Sequence, residues 1–192
     1  SAASDVYKRQ VKKVIELAMA KEVDATVTNP LNKEAMNAAG HHYAGHTEIY
    51  ADLTGTEKYT MMLADGNLRV VHVSTHVSLR EACDRATKER VLDVIRIANQ
   101  ACKNLGIAEP RIAVAGLNPH CGENGLFGQE EINEINPAVE TAKAEGIKAY
   151  GSLPADTVFS KANGGMYDIV VAMYHDQGHI PLKTLGLSLI HI

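Results

Sequence analysis

Apolar residues recur along this chain with two alternating periodicities, one helical and one typical of strands. Helical spacing predicts helices over residues 11–23, 48–53, 87–105 and 130–145. Short apolar or β-branched runs predict strands over residues 24–28, 60–64, 68–74, 111–115 and 168–173. The last run is continuously apolar, as is typical of strands buried in a parallel sheet. The alternation of helices and strands predicts a three-layer α/β architecture.

Turn and cap residues mark the limits of several of these elements. Asp65-Gly66-Asn67 stands between two strand-like runs and predicts an antiparallel hairpin. Thr87 is a suitable N-cap for the longest helix, and Gly106 is a suitable stop. Pro137 is expected to interrupt or bend the helix over residues 130–145, because proline lacks the backbone N–H donor.

The two ends of the chain match a single short DNA read in opposite directions. Residues 5–10 read DVYKRQ and residues 187–192 read LSLIHI, and the two strings are encoded by reverse complements of a sequencing adaptor. We therefore interpret residues 1–10 and 187–192 as adaptor-derived and exclude them from fold arguments. Residues 11–186 are interpreted as the natural, central portion of a longer protein that continues beyond both ends.

Composition narrows the function classes. The net charge is −4, and no basic stripe is interleaved with aromatic residues, which argues against nucleic-acid binding. No apolar run approaches the length of a membrane span. The three cysteines are odd in number and lack a C-x-x-C spacing, so reduced thiols in a cytoplasmic protein are expected.

Three histidines follow predicted strands at comparable positions. His76, His120 and His175 each come shortly after the carboxyl end of a strand, where ligand sites form in open α/β sheets. Three imidazoles at one edge can bind a divalent ion and leave positions open for substrate. The alternative is that the three are unrelated surface histidines, since none lies in a known short zinc motif.

Further residues are candidates for binding an anion. His46 and Thr47 lie where a helix is expected to begin, and free N–H groups there suit a phosphate or carboxylate. Alternatively, Thr47 is simply the N-cap. Lys183 could neutralise an anionic substrate or be an ordinary surface charge. The glycines of CGENGLFG could form an anion-binding nest or merely turns. A G-x-G-x-x-G dinucleotide motif is absent.

Six strings, taken in order, resemble the 4-hydroxythreonine-4-phosphate dehydrogenase family: TNPLNKEAMNAAG, AGHTE, VSTHVSLREA, AGLNPHCGENGLFG, LPADTVF and VVAMYHDQGHIPLK. The resemblance implies a two-domain fold like that of isocitrate and isopropylmalate dehydrogenases, incomplete here at both ends. Residues 11–186 would be the central α/β portion of that larger two-domain dehydrogenase. It also implies a homodimer whose active sites are shared between subunits. By the same resemblance, His76, His120 and His175 match the metal ligands, and His46, Thr47 and Lys183 match substrate-binding positions.

The chemistry implied by the resemblance is oxidation, with decarboxylation, of a 4-phosphorylated 3-hydroxy acid. The implied cofactors are NAD, with NADP as the alternative, and a divalent ion such as Zn, Co, Mg or Mn. Asp176 and Lys183 are the candidate catalytic residues. Asp176 would orient the neighbouring ligand or relay a proton, or else serve only as a loop cap. Residues that bind NAD are expected to lie mostly outside this piece.

Details of the strings favour the branch that acts on D-threonate or D-erythronate 4-phosphate, through TNPLNKEA, STHVSLR, GENGLFG and the histidine of DQGHIPLK. The alternative within the family is oxidation of 4-hydroxythreonine 4-phosphate for pyridoxal phosphate biosynthesis. Two other classes remain open. A metal-dependent hydrolase or lyase would use the same histidines without nicotinamide, and a non-enzymatic domain would not bring the histidines together.

Overall fold

The protein was analysed as a computed structural model, which describes residues 2–30, 40, 43, 45–186 and 190–191. The chain divides into two compact units, Ser1–Tyr59 and Thr60–Ile192. Residues 187–189 and 192, within the segment interpreted as adaptor-derived, lie outside the described residues, as do residues 31–39 of the first family string.

The first unit contains two described helices, α1 (Ala2–Met19) and α2 (His46–Thr54). They pack through a small apolar cluster centred on Val11, Ile15 and Ile49. Helix α1 is continuous across the boundary expected between residues 10 and 11.

The strand predicted over residues 24–28 is wrong, because these residues form no strand in the structure. Val27 is 96% exposed, and the Thr26 hydroxyl shares a hydrogen bond of 2.6 Å with the Tyr50 hydroxyl. The alternating pattern was present, but no described strand of this unit lies beside the segment to complete a ladder.

The second unit is built on one sheet. Its strands are β1 (Met62–Asp65), β2 (Leu68–His72), β3 (Ile112–Ala115), β4 (Ala149–Leu153), β5 (Ile169–Ala172) and the two-residue β6 (Ile190–His191). Their order across the sheet is β4-β3-β5-β2-β1-β6. The central pairs β3/β4, β3/β5 and β2/β5 are parallel, whereas β1 pairs antiparallel with β2 and β6. Strand β6 lies within the segment interpreted as adaptor-derived.

Helices cover both faces of this sheet. They are α3 (Leu79–Arg85), α4 (Lys88–Asn104), α5 (Asn136–Ala144), α6 (Ala155–Asn163) and α7 (His175–Leu185). A short 3-10 segment, Pro119–Gly125, follows β3, and a π-helical turn, Glu131–Ile135, leads into α5. Apolar residues of α4 and α5 pack on one face of the sheet, and those of α6 and α7 pack on the other. The predicted three-layer α/β architecture is confirmed.

Several local predictions from turn, cap and proline residues are confirmed. The β1–β2 hairpin forms with Asp65 opposite Leu68, and the Thr87 hydroxyl accepts a hydrogen bond from the Arg90 backbone N–H at the start of α4. Pro137 stands in the first turn of α5, just after the π-helical turn, so the predicted irregularity is confirmed. Helices α3, α6 and α7 and strand β4 were not predicted. Helix α7 contains Pro181, and a proline inside an element argues against a helix in the sequence.

Candidate metal-binding and anion-binding site

His76 and His175 lie close together at the carboxyl edge of the sheet. Strands β2 and β5 are parallel neighbours, so the residues that follow them emerge side by side. The ring centroids of the two histidines are 6.0 Å apart. Metal–nitrogen bonds of about 2.0–2.1 Å in a tetrahedral site place two ring centroids roughly 5–6 Å apart. This pair of imidazoles therefore fits a shared divalent ion.

A carboxylate fixes one side of the His175 ring. Nδ1 of His175 and Oδ1 of Asp176 are 2.6 Å apart, which leaves Nε2 of His175 available. A histidine that binds a metal usually donates its other ring N–H to a carboxylate in this way. The cap position of α7 is Tyr174, without a side-chain hydrogen bond, so Asp176 is not the N-cap of that helix. The contact supports an orienting role for Asp176.

His179 supports His175 from within the same helix. The two rings are stacked, with centroids 3.6 Å apart and planes inclined by 11°. Nδ1 of His179 also lies 2.9 Å from the His175 carbonyl oxygen. His179 is 5% exposed, so its ring is buried and lines the site. The sequence analysis used His179 only as a feature of the DQGHIPLK string and gave it no function.

His72 extends this row of rings into the core. Its ring centroid is 4.7 Å from that of His179, and the residue is fully buried. Burial, with a smaller contribution from His179, lowers the pKa of His72 to about 3, so its ring is uncharged near neutral pH. A side chain at Gly178 would collide with His72, which is why a glycine stands where α7 crosses it. His72 is therefore a core residue behind the site.

His120 occupies a different kind of backbone. The residues from His120 to Asn124 all have positive φ, including φ 51° and ψ 32° at His120 itself. They form a left-handed turn, in which only Gly122 is a glycine. The His120 side chain is on an exposed residue just beyond β3. Neither periodicity nor turn residues predicted this conformation.

Glu131 lies beneath that turn and was missed by the sequence analysis. It is 1% exposed, and its carboxyl group accepts hydrogen bonds from the backbone N–H groups of Leu117 and Asn118 at 2.7 Å each. The sequence showed only two adjacent glutamates in a predicted helix, which is typical of a solvated face. No signal distinguished the buried residue from its neighbour Glu130.

His46 and Thr47 begin helix α2 in the first unit. The N-cap is Gly45, which offers no side chain to the first N–H groups, so the alternative that Thr47 is the cap is wrong. Free N–H groups at such a terminus suit an anion. Nε2 of His46 lies 2.7 Å from the Tyr7 hydroxyl, and burial lowers the pKa of His46. Tyr7 belongs to the segment interpreted as adaptor-derived.

Lys183 is exposed on the same helix as His175, about two turns further on. It borders a shallow groove with a volume of about 310 Å³. The groove is lined by His175, Asp176, His179, Ile180, Lys183 and Thr184. A cation beside this groove suits an anionic ligand, and no described contact commits the Lys183 ammonium group elsewhere in an ion pair.

The three candidate metal ligands do not converge within one chain. Among the residues that the structure describes, no three His, Cys, Asp or Glu side chains are close enough to hold an ion together. His76 and His175 form a pair, and His120 is not grouped with them. The three-histidine site therefore stays a prediction, which the expected sharing of sites between subunits would satisfy. Cys83, Cys102 and Cys121 are free thiols.

Comparison with known proteins shows that the chain matches one protein family and several relatives. Residues 1–189 match the family described as pyridoxal phosphate biosynthetic protein PdxA. The chain is 56% identical over 184 residues to D-threonate 4-phosphate dehydrogenase from Pectobacterium atrosepticum, covering 96% of this chain and 56% of that protein. It is 54% identical, with the same coverage, to D-threonate 4-phosphate dehydrogenase from Salmonella typhimurium.

A solved structure that bears a different enzyme name also matches this chain in fold. The 4-hydroxythreonine-4-phosphate dehydrogenase from Klebsiella pneumoniae superposes with a TM-score of 0.91 at 51% sequence identity, covering 96% of this chain and 56% of that one. The chain thus spans little more than half the length of the relatives it matches. Over the part of the chain that the structure describes, no helix is long and apolar enough to cross a membrane.

Proposed function

Because the chain belongs to the PdxA family of dehydrogenases, we propose that the protein carrying this segment oxidises a 4-phosphorylated 3-hydroxy acid with NAD and a divalent metal ion. D-Threonate 4-phosphate or D-erythronate 4-phosphate is the proposed substrate, and decarboxylation follows the oxidation. Two relatives named D-threonate 4-phosphate dehydrogenase support this substrate class. We further propose that residues 11–186 are the natural portion, within a longer cytoplasmic protein that acts as a homodimer.

The observation that carries the proposal is the arrangement around His175. A second imidazole, that of His76, stands at a distance suited to a shared ion, and Asp176 engages Nδ1 of His175. A hydrolase or lyase could use the same pair, but it would not explain membership in a dehydrogenase family. His120 is the proposed third ligand.

Once bound, the divalent ion would lower the pKa of the substrate hydroxyl and stabilise the negative charge that develops on it. The residues of this chain then have separate tasks. His76, His120 and His175 hold the ion with neutral imidazole nitrogens, and Asp176 keeps His175 in the tautomer that presents Nε2. His179 holds the His175 ring in place by stacking on it.

The remaining candidates bind the anionic parts of the substrate. The N-terminus of α2, with His46 and Thr47, has no side-chain cap from Gly45 and offers backbone N–H groups and a partial positive charge to a phosphate or carboxylate. Lys183 provides a full positive charge on the helix that carries His175. Bound NAD would supply the hydride acceptor, and the residues of this chain would contribute orientation more than redox chemistry.

One alternative within the family has specific support. The Klebsiella pneumoniae structure is named for 4-hydroxythreonine 4-phosphate, which carries an amino group where threonate carries a hydroxyl. None of the residues proposed to bind substrate distinguishes the two groups by charge, because His46, Thr47 and Lys183 all favour anions. The amino substrate therefore remains the second candidate.

The test is NADH formation by the full-length protein. The three phosphorylated acids are compared at equal concentration, with and without a chelator and with NADP in place of NAD. We expect D-threonate or D-erythronate 4-phosphate to exceed 4-hydroxythreonine 4-phosphate in kcat/KM by about tenfold or more. Chelation should abolish the activity and Zn, Co, Mg or Mn should restore it. Turnover of a phosphorylated acid without NADH formation would favour the hydrolase or lyase reading.

A further inference from the structure

Glu131 is an acid buried without an ion pair. It is 1% exposed, and no described salt bridge involves it. Burying a carboxyl group costs several kcal/mol unless hydrogen bonds replace its contacts with water. Such a residue is retained in a fold when its hydrogen bonds hold something in place. The groups bonded to Glu131 therefore indicate what it does.

Among the described residues, the donors to Glu131 all lie in the segment that follows β3. Oε1 accepts from the backbone N–H groups of Leu117 and Asn118, and Oε2 accepts from Nδ2 of Asn118 at 3.0 Å. These two residues lie just before Pro119, after which the left-handed turn begins. One carboxyl group thus fixes the direction in which the chain leaves the sheet.

The same carboxyl group also touches the turn itself. A Cβ atom at Gly122 would lie only 2.8 Å from Oε2, and one at Gly116 would lie 3.2 Å from Oε1. Gly122 is itself buried. Glu131 therefore fills the space between the two ends of the segment 116–122, and His120 lies between those ends.

The turn needs such support. Four non-glycine residues have left-handed backbones: His120, Cys121, Glu123 and Asn124. Each such residue costs about 1–2 kcal/mol relative to a right-handed conformation. Strained backbones of this kind persist only where the surrounding structure fixes them, and they cluster at functional sites. The Asn118 carbonyl oxygen accepts a hydrogen bond from the Cys121 N–H within the turn, and Asn118 is a residue that Glu131 holds.

We propose that Glu131 is a positioning residue that holds the left-handed turn and thereby places the His120 imidazole for metal binding. This inference rests on the proposed function, because it takes His120 as a metal ligand. Glu131 acts on His120 through Leu117, Asn118 and Gly122, and it has no contact with substrate in this account. A loss of Glu131 should weaken metal binding only while His120 is present.

The test is a Co²⁺ titration of the full-length protein and of four variants, with binding followed by the absorption spectrum of bound Co²⁺. The variants are Glu131→Met, His120→Ala, the combination of these two, and Glu134→Gln. Glu131→Met removes both acceptor oxygens at similar side-chain length. We expect it to weaken Co²⁺ binding by about 10–100-fold, the usual effect of losing a residue that orients a metal ligand. In a His120→Ala background the same substitution should change the affinity by less than about threefold, since the pathway through His120 is already absent.

Glu134→Gln is the matched control. Glu134 lies in the same π-helical turn and also accepts a backbone hydrogen bond, but from Lys88 at the start of α4. It should leave the Co²⁺ affinity within about threefold of the parent, because it holds a different segment. If Glu131→Met does not fold, Glu131→Gln takes its place. The amide keeps one acceptor oxygen, so an intermediate loss with the same dependence on His120 is expected.

Hydrogen exchange supplies a readout that does not depend on metal. Glu131→Met should accelerate exchange at the Leu117 and Asn118 amides, whereas His120→Ala should not. An unchanged Co²⁺ affinity in Glu131→Met, or an equal loss with and without His120, would overturn the inference and leave the proposed function standing. If His120→Ala itself leaves Co²⁺ affinity unchanged, the metal site of the proposed function fails, and the positioning of His120 for metal fails with it.

Discussion

His175 and His120 both follow buried strands of one sheet, yet the protein holds them by different means. His175 begins a right-handed helix, and its ring is held directly by the Asp176 carboxylate and the stacked His179 ring. In the part of the chain that the structure describes, no comparable side-chain contact holds the His120 ring. Its backbone is instead held in a left-handed turn above the buried Glu131.

The difference teaches how two ligands of one proposed site can depend on different parts of the fold. His175 is positioned by side chains of its own helix, within four residues along the chain. His120 is positioned by a residue eleven places further on, through the backbone. Substitutions beside His175 should therefore change metal affinity with little effect on stability, whereas substitutions beneath His120 should change both.

The largest effect is expected for His175→Ala. Loss of a proposed ligand removes several kcal/mol of transition-state stabilisation, so kcat/KM should fall by about 10³-fold or more. His179→Phe is the matched control, because it retains a stacked aromatic ring without the imidazole nitrogens. Steady-state NADH formation and Co²⁺ titration of the full-length protein provide the measurement. Equal losses in the two variants would remove the distinction between ligand and support.

Gly122→Ala should destabilise the turn beneath His120. Its Cβ would lie 2.8 Å from Oε2 of Glu131, and φ is +79°. The control is Gly146→Ala, where φ is +82° and no atom lies within 4 Å. The positive φ alone should cost about 1–2 kcal/mol at either position, and the close contact should add about 1–3 kcal/mol at Gly122. Urea unfolding measures the difference, and equal losses would show that Glu131 does not press on the turn.

Low pH should reduce the stability of the folded protein through His72, which lies behind His175 in the row of histidine rings. His72 has a pKa of about 3 in the folded protein, below its ordinary value of 6.5. The unfolded chain therefore binds a proton that the folded chain does not, as pH falls below about 6.5. Stability should decline by about 1 kcal/mol per pH unit from this residue, down to about pH 3.

The comparison for that prediction is His72→Leu, which cannot titrate at this position. His179 and His175 face His72 and are present in both proteins, so only the difference between the two slopes reports on His72. Urea unfolding at several pH values between 7 and 4 would provide the slopes. Parallel slopes would contradict the burial argument.

The smallest effect is expected for Asp176→Asn. The amide keeps the size of the side chain but loses the charge that favours the His175 Nδ1–H tautomer. Co²⁺ affinity should fall by about tenfold, with the unfolding free energy changed by less than about 0.5 kcal/mol, because the Asp176 side chain is 70% exposed. A large loss of stability with unchanged affinity would assign Asp176 a structural role.

The elements that the sequence could predict are those whose own residues carry a regular apolar pattern. Helix α4 and strands β3 and β5 were predicted because their apolar periodicity reflects the layers directly. Helix α7 was not, since Pro181 and Gly178 weaken the helical pattern, although Gly178 stands where α7 crosses His72. The placement of His175 just beyond β5 was nevertheless correct.

The turn carrying His120 lies beyond any local prediction. Its left-handed backbone is set by a carboxyl group that is distant along the chain, and no residue between 120 and 124 except Gly122 favours positive φ strongly. The strand predicted over residues 24–28 failed for the opposite reason, because its local pattern met no neighbouring strand among the described residues. In both cases tertiary contacts decided the outcome.

The most direct test of the central claim is a crystal structure of the full-length dimer with Co²⁺, using the anomalous signal of the metal to locate it. We expect one ion per site, bound by His76, His120 and His175, with metal–nitrogen distances of about 2.0–2.1 Å. His120 should keep its left-handed backbone above Glu131. An ion bound elsewhere, or three histidines that remain apart in the dimer, would contradict the proposed metal-dependent dehydrogenase.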